Sequence, residues 1–388
     1  MIQSFAAFSD LDASADAGAA IANDIEQGLA GTPADAIIVF ASSQHDYEIL
    51  LAAISARHPL ATLIGCSSAG EFSSYSSGVG AVSAIAFASD EVRFTAALGR
   101  GMRNDLDGAV KQLVGAFAGP TEHGYAYRTA LILADALAGY TDELVEKLNI
   151  ATGGLYQFVG GGAGDDANFQ STHVFSGTRA YTDAAVALEI LSNKPIGVGA
   201  RHGWVPAGPR MRVTEADGTR LISLNGFPAV EIYRQHIEEL GLAFDEQSPL
   251  PHFLHHIIGI DTGRGHKLRV PLAVEADGAL LCASDIPTGI LVSFMRIEAE
   301  SSAQAAAAAA DDAVSQLGEH PLGAALFFDC VATRLRMGAD FDQELNAVGR
   351  SLGTKIYGGC NTYGQIVRRD GQFSGFHNCT AVVCAFPR

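Results

Sequence analysis

No pair of cysteines in this chain has CxxC spacing: Cys66, Cys282, Cys330, Cys360, Cys379 and Cys384 are scattered over 388 residues. That absence removes the zinc ribbon, the thioredoxin motif and covalent haem attachment through CxxCH. Small apolar neighbours mark most of the six as reduced, buried thiols. Basic residues are also scarce, 25 Lys and Arg against 43 Asp and Glu, a formal net charge of −18, and no basic run occurs. A surface of that sign repels phosphates, which excludes nucleic-acid binding. Apolar runs never approach the roughly 20 residues a membrane-spanning helix needs. Ile286 to Val292 is broken by Pro287 and Gly289, and the alanines from Ala305 to Ala310 are bounded by Gln304 and Asp311. The N-terminus, Met1-Ile2-Gln3-Ser4-Phe5, lacks the basic residues of a signal peptide. The chain is therefore expected to be soluble and cytoplasmic.

What the chain does have is glycine, 43 residues of it, and an apolar content of 48% that rules out a disordered polymer. Its length suits about two domains with separate cores. The glycines concentrate in an internal repeat. Three segments share the order helix, strand, helix, strand, glycine loop, strand. In the first, strand Ala36–Phe40 and helix Tyr47–Ser55 lead to Gly65-Cys66-Ser67-Ser68-Ala69-Gly70-Glu71 and strand Ala81–Phe87. In the second, strand Ala130–Ala134 and helix Asp142–Asn149 lead to Gly160-Gly161-Gly162-Ala163-Gly164-Asp165-Asp166 and strand Thr172–Phe175. In the third, strand Ala325–Cys330 and helix Phe341–Leu352 lead to Gly358-Gly359-Cys360-Asn361-Thr362-Tyr363-Gly364-Gln365 and strand Ala381–Ala385. Helices are expected ahead of the copies at Asp16–Leu29, Asp105–Phe117 and Ala299–Leu317. Aligning Gly70-Glu71, Gly164-Asp165 and Gly364-Gln365 pairs Cys66 with Cys360.

Short uncharged strands alternating with helices read as an α/β fold with buried strands. Glycine at a strand end permits positive φ and close backbone approach, so the three loops are placed to line a common cleft. None is a nucleotide loop, for no G-x-x-x-x-G-K-[ST] occurs and no Rossmann helix follows. Between the second and third copies, Pro195 to Glu298 differs in character, with one clear helix from Phe227 to Gly241 whose Val230, Tyr233, Ile237 and Leu240 form a stripe. The expected architecture is two domains of mixed β-sheets covered by helices, residues 1–222 with two copies of the repeat and 223–388 with the third.

Gly65 to Glu71, Val159 to Asp165, Gly203-Trp204-Val205-Pro206-Ala207-Gly208 and Leu224-Asn225-Gly226-Phe227-Pro228-Ala229 resemble the signature stretches of the FIST N-terminal domain. Phe328-Asp329-Cys330-Val331, Asn361 to Ile366 and Phe376-His377-Asn378-Cys379-Thr380 are similar to the FIST C-terminal domain. The resemblance covers nearly the whole chain in order. It implies a cytoplasmic sensory module that binds a small ligand and regulates a histidine kinase or a cyclic-di-GMP enzyme, as haem-based nitric oxide sensors of the family do. The chain departs from the family pattern at Gln365, where Glu is usual, at Cys379, where Gln is common, and at Arg334, displaced from the DC-V stretch by Ala332-Thr333. Those changes point away from a charged ligand held by a Glu/Arg pair.

Candidate residues follow from both readings. Non-covalent haem b needs an axial side chain in an apolar pocket and cations for its propionates. His236 on the Phe227–Gly241 helix is the first choice of iron ligand, with His256 and His252 next and Arg234 nearby. His252 and His256, four apart, would share one face of a helix. His45, His58, His123, His173, His202, His266, His320 and His377 fall in loop-like contexts and read as solvated. The repeat loops and the motif matches place Cys66, Gly161, Asp165, Cys330, Arg334, Cys360, Tyr363 and Gln365 at a ligand pocket. An amino-acid-like ligand without haem is the alternative, followed by a Cys- or Ser-dependent hydrolase. Gly65 to Gly70 is no G-x-S-x-G elbow, and the chain is read as a sensor and not as an enzyme.

Overall fold

A computed structural model gives the architecture, and the structure describes residues 2–119, 124–353, 356–368 and 374–388. The first copy of the repeat runs β1 (Ile2–Ser9), α1 (Ser14–Gly28), β2 (Ala36–Ala41), α2 (Tyr47–Arg57), β3 (Thr62–Ser67), a hairpin of β4 (Glu71–Ser73) and β5 (Ser77–Gly78), then β6 (Val82–Ser89). The second runs β7 (Val92–Arg100), α3 (Leu106–Ala116), β8 (Tyr127–Ala134), α4 (Thr141–Ala151), β9 (Gln157–Gly162), hairpin β10 (Val174–Ser176) and β11 (Arg179–Tyr181), then β12 (Ala184–Ser192). Each copy therefore opens with a strand that the helix-first reading missed. Strands β2, β8 and their partners are β-branched and apolar because both of their faces are buried; all six side chains of β2 are enclosed. Asp46 and Asp105 start α2 and α3 by accepting bonds from Ile49 N and Gly108 N, at 3.1 and 2.8 Å.

The third copy begins with β13 (Gly197–Arg201) and is interrupted by an insertion. The inserted strands are β14 to β22: Val205–Pro206, Met211–Asp217, Arg220–Leu224, Phe227–Pro228, Ile257–Asp261, His266–Arg269, Pro271–Val274, Leu280–Cys282 and Leu291–Arg296. They carry α5 (Ala229–Glu239) and the one-turn α6 (Leu250–Phe253). The copy then resumes with α7 (Ala299–Ser315), β23 (Leu322–Cys330), α8 (Val331–Met337), α9 (Phe341–Leu352), β24 (Tyr357–Thr362), hairpin β25 (Gln365–Arg368) and β26 (Ser374–His377), and β27 (Ala381–Pro387). The alanine run of α7 now has a cause. A Cβ on Gly197 or Gly199 of β13 would lie 1.9 Å from the carbonyl oxygen of Ala313 or Ala309, so helix and strand touch backbone to backbone.

Each copy builds one mixed six-stranded sheet, and the three sheets exchange hairpins in a closed cycle. The first copy's β4–β5 joins β24 of the third, with Glu71 opposite Cys360. The third copy's β25–β26 joins β9 of the second, with Gln365 opposite Gly161. The second copy's β10–β11 joins β3 of the first, with Val174 opposite Cys66. The register makes Cys66, Gly161 and Cys360 equivalent, and likewise Glu71, Val174 and Gln365. Matching Asp165 to Glu71, as the glycine steps suggest, is thus displaced: the second copy carries an extra segment from Asp165 to His173 before its hairpin. Side chains of all three inner faces share one core, in which Phe40 and Phe328 meet edge to face at 5.6 Å.

The insertion folds as a separate antiparallel sheet packed by Tyr233, Phe253 and Phe294. The sheets do not divide at 222/223, which falls inside β16; the repeat core is continuous through β13, and the insertion hangs between β13 and α7. A partly buried ion cluster fastens the two parts. Asp142 of α4 accepts from Lys267 Nζ at 2.6 Å and from Arg269 at 3.1 Å, and from Phe376 N at 3.1 Å. Among the described residues no helix is long and apolar enough to cross a membrane.

Candidate functional site

The glycine loops after β3, β9 and β24 meet on the axis relating the copies, and each is hydrogen-bonded to both others. Ala69 N donates to Asn361 O at 2.9 Å and Asn361 N to Gly70 O at 2.8 Å. Gly164 N donates to Ser67 O at 2.9 Å, and Asp166 N to Ser68 O at 3.0 Å. Gly162 N donates to Gly364 O at 2.8 Å, and Tyr363 N to Gly162 O at 2.9 Å. Backbones this close leave no room for side chains, which is why the loops are glycine-rich.

Two pegs hold the loops. Ser68 Oγ donates to Glu71 Oε1 at 2.6 Å, and Ala81 N to Glu71 Oε2 at 3.0 Å. In the third copy Gln365 Nε2 donates to Thr362 Oγ1 at 2.9 Å, and Thr380 N to Gln365 Oε1 at 3.2 Å. The pegs are equivalent, a carboxyl in one and a carboxamide in the other. Burial pushes the Glu71 carboxyl up to about 8, against the Ser68 hydrogen bond that favours its charge. Ser68 and Glu71 thus have the spacing of a nucleophile and a base, but their counterpart is a Thr–Gln pair whose carboxamide cannot act as a base.

The extra segment of the second copy lies across the loops. Asp165 accepts from Phe169 N, Gln170 N and Ser171 N at 2.6–2.8 Å and from the Tyr363 hydroxyl. Asp166, Ala167 and Phe169 all have positive φ, between 54° and 67°, a strained backbone for residues with a Cβ. Asp166 Oδ2 accepts from Ser42 Oγ and Ser43 N, both at 2.8 Å, and from Ser43 Oγ at 2.5 Å. Its other oxygen, Oδ1, is buried without a hydrogen-bond partner, as are both polar side-chain atoms of Asn361 and the Nε of Arg334. Arg334 reaches in from α8. Burial lowers its guanidinium while the charges of Glu71 and Asp166 and the Tyr363 phenol oppose that fall. Gly70, at φ 139°, makes the approach possible: a Cβ there would sit 2.6 Å from Asn361 Oδ1 and 3.1 Å from Arg334 Nε. Buried polar groups are normally satisfied, so three unsatisfied ones of mixed charge where the loops meet are what a small polar ligand would complete.

On the other side of the first turn of α8 lies a small apolar cleft of about 80 Å³ between the repeat core and the insertion. Leu250, Leu254, Leu272, Leu335, Phe169 and Tyr363 line it. Tyr363 belongs to both places, and stacks on Phe169 at 4.5 Å.

The structure brings Cys66, Gly161, Asp165, Cys330, Arg334, Cys360, Tyr363 and Gln365 together at or beneath the axis. Within that set, Cys66 and Cys360 meet fully buried under the loops, and burial and their mutual contact raise the Cys360 thiol well above its usual range. Arg334 reaches the loops although it is displaced from the DC-V stretch. Sequence reasoning missed Asp166, Asn361, Ser42 and Ser43; Asp166 and Asn361 adjoin Asp165 and Cys360 and were legible only through the loop register.

The histidines lie elsewhere, in the insertion. The helix carrying His236 ends at Glu239, which leaves Leu240 exposed. His252 and His256 do not share a helix face, because α6 stops at Phe253 and β18 begins at Ile257. His236 packs 4.6 Å from Phe294 and 5.3 Å from His256. Burial lowers both imidazoles, His256 to about 4. His236 Nε2 and His256 Nδ1 are buried without partners, but neither ring lines the apolar cleft, and Phe294 and His256 crowd the ring of His236. Arg234 is committed to Glu246 at the surface. These residues do not fit a haem, and no cluster of three or more metal-ligating side chains occurs among the described residues. Of the histidines read as solvated, His45 and His377 are buried and only His320 is exposed, while His123 lies outside the described residues.

Residues 35–226 match the FIST N domain family model, and residues 229–368 match that of the FIST C domain. No curated protein matches the chain. Among solved structures, a cyanuric acid hydrolase aligns over 100% of both chains at 10% identity and a TM-score of 0.35. The cyanuric acid hydrolase of A. caulinodans aligns over 99% of both at 9% identity and a TM-score of 0.34. T. maritima PurL complexed with FGAR aligns over 99% of this chain and 72% of its own, at 11% identity and a TM-score of 0.25. The expectation that this chain is not an enzyme finds no support in these comparisons, in which two of the matched structures are cyanuric acid hydrolases. Likeness this distant transfers no activity or residue role.

Proposed function

Because this chain belongs to the FIST-domain family, we propose that it is a small-molecule-binding sensory module whose ligand is a zwitterion of the amino-acid type, held where the three glycine loops meet. One observation carries this reading: buried polar atoms of Arg334 and Asn361 lie without partners against Gly70, and Asp166 Oδ1, on the loop bonded to Ser68, is likewise without one. A ligand carboxylate would accept from Arg334 Nε and the Asn361 amide, and an ammonium group would donate to Asp166 Oδ1. Hydrogen bonds to charged groups contribute about 1.5–3 kcal/mol each, enough for selective binding of a very small molecule. An apolar ligand side chain would extend past Tyr363 toward the cleft.

Helix α8 links this site to signalling. It carries Arg334 on the ligand side and Leu335 on the cleft, where the insertion packs. A ligand that binds one placement of α8 more tightly shifts the population toward it. A histidine kinase or a cyclic-di-GMP enzyme would read that change, and the charge of −18 suits a basic docking face.

Calorimetric titration with each proteinogenic amino acid tests the proposal, with Arg334→Ala expected to weaken the best ligand by about ten- to hundredfold. Failure of every amino acid to bind, or unchanged affinity in Arg334→Ala, overturns it. NMR of the ligand after incubation separates binding from turnover.

A further inference from the structure

Strand β7 is an outermost strand of its six-stranded sheet and pairs on one side only, with β12. From Val92 to Arg100 it keeps an unbroken register with that partner. The phase of the ladder fixes which of its peptide groups face away. Gly101 N donates to Asp183 O at 2.8 Å, so the odd-numbered residues of β7 bond to β12 and the even-numbered ones point outward. Arg100 N accordingly donates outward, to Gln112 Oε1 at 3.1 Å. The peptide groups of Phe94, Ala96 and Leu98 share that edge, and no hydrogen bond reaches them among the described residues. The equivalent edges of the other two copies are covered. Gln316, which ends α7, pairs with both the N–H and the C=O of Val198 on β13, at 3.1 and 2.9 Å. Tyr75 of the β4–β5 hairpin donates its hydroxyl to Ala6 O on β1 at 3.3 Å. Other devices that blunt a free edge are missing from β7 too, which has no proline, no bulge and no charge between Arg93 and Arg100.

We infer that β7 is the docking edge for a second copy of this chain, whose own β7 pairs with it antiparallel about a twofold axis at Ala96. The register follows from the free groups. Setting Ala96 against Ala96 of the second copy, and Phe94 against its Leu98, brings unpaired N–H and C=O groups face to face, and each such pair exchanges two hydrogen bonds. A slip of one residue would turn those groups away from each other. The side chains agree with that register. Phe94, Ala96 and Leu98 lie on the sheet face that packs against the shared core, where each is only partly buried, and Phe94 would cover Leu98 of the second copy. Charge agrees as well. Asp90 and Glu91 precede the strand and Arg100 and Arg103 end and follow it, so antiparallel pairing sets the acidic end of one copy beside the basic end of the other. At −18 per chain most surfaces of two copies repel, whereas this edge carries Arg93 and Arg100 on the strand itself. The two sheets then run as one across the axis. This inference does not depend on the ligand proposed above.

Sedimentation equilibrium of the full-length protein is expected to give twice the chain mass of 40.5 kDa. Ala96→Pro removes an N–H that bonds to nothing within the chain, so the fold should keep its circular dichroism while dimerisation weakens about ten- to hundredfold. Ala96→Cys is the second test. In this register the two α-carbons at position 96 are about 5.5 Å apart, within reach of a disulfide, so a covalent dimer should form in air. Thr95→Cys should form none, because Thr95 faces Ala97 of the second copy and its own counterpart lies out of reach along the strand. The native thiols are buried and add no background. Should Ala96→Pro unfold, the two cysteine variants decide. A monomer up to about 100 μM, a dimer that survives Ala96→Pro undiminished, or cross-linking of Ala96→Cys no greater than that of Thr95→Cys overturns the inference.

Discussion

Replacing Glu71 by Gln tests how the loops are held on the axis, because the third copy already contains the product: Gln365 makes the same two contacts with Thr362 and Thr380 N. The folded carboxyl sits at about 8 against 4.5 for the ordinary group. A carboxyl raised by folding destabilises the folded state wherever the unfolded chain is ionised. Stability is therefore complete below about pH 4.5 and falls as pH rises toward 8. Linkage over that window costs the native protein about 1 kcal/mol at pH 5, about 3 at pH 7 and no more than about 5 above pH 8. Glu71→Gln removes the titration, so it should be more stable than the native chain by those amounts. At pH 7 that is a rise in Tm of about 4 °C for a chain of this size. Paired urea and thermal unfolding curves at pH 5 and 7 measure it. A variant less stable at pH 7, or a gain that does not grow with pH, refutes the reasoning. Either outcome would mean that the carboxylate is ionised and paired with Arg334.

Gly70→Ala should cost about 1–3 kcal/mol of stability, from its positive φ and its contacts with Asn361 and Arg334, and should abolish amino-acid binding in the calorimeter. Asp142→Asn removes the ion-pair partner of Arg269, itself 1% exposed; with Asp142 about a third exposed, the loss is about 1–3 kcal/mol. Limited proteolysis should then release the insertion first. In the native protein, burial alone would raise the Asp142 carboxyl, but Lys267 and Arg269 hold it below its ordinary value. Its contribution is present above the unfolded value and is lost as pH falls through the folded one, so an acid-side weakening of the contact should vanish in Asp142→Asn. Haem added to the purified protein should give no saturable Soret band, and a one-to-one titration that His236→Ala abolishes would overturn the assignment made from Phe294 and His256.

The sheets and the site were legible in the sequence to different depths, for physical reasons. Strands such as Ala36–Phe40 and Ala325–Cys330 are buried on both faces, so their apolar runs announce themselves. The leading strand β7 is enclosed at only three of its positions, and its mixed burial leaves no clean pattern. Cyclic exchange of hairpins was invisible, because β4, β10 and β25 are three or four residues long and pair with a strand far away in the chain. That exchange sets the equivalence of Glu71 with Gln365 and makes Ser68–Glu71 and Thr362–Gln365 a matched pair of pegs. The displaced Arg334 shows the converse. By spacing it departed from the family pattern and argued against a charged ligand, yet from α8 its side chain reaches Gly70. Residue order alone weighs each departure singly, whereas the fold couples them: an arginine moved along a helix, a carboxamide in place of a carboxylate and an aspartate supplied by the second copy's extra segment still bring opposite charges to one point. A ligand of the proposed kind would therefore meet the axis as a whole, and each single substitution at Gly70, Glu71 and Arg334 perturbs one leg of the same constellation.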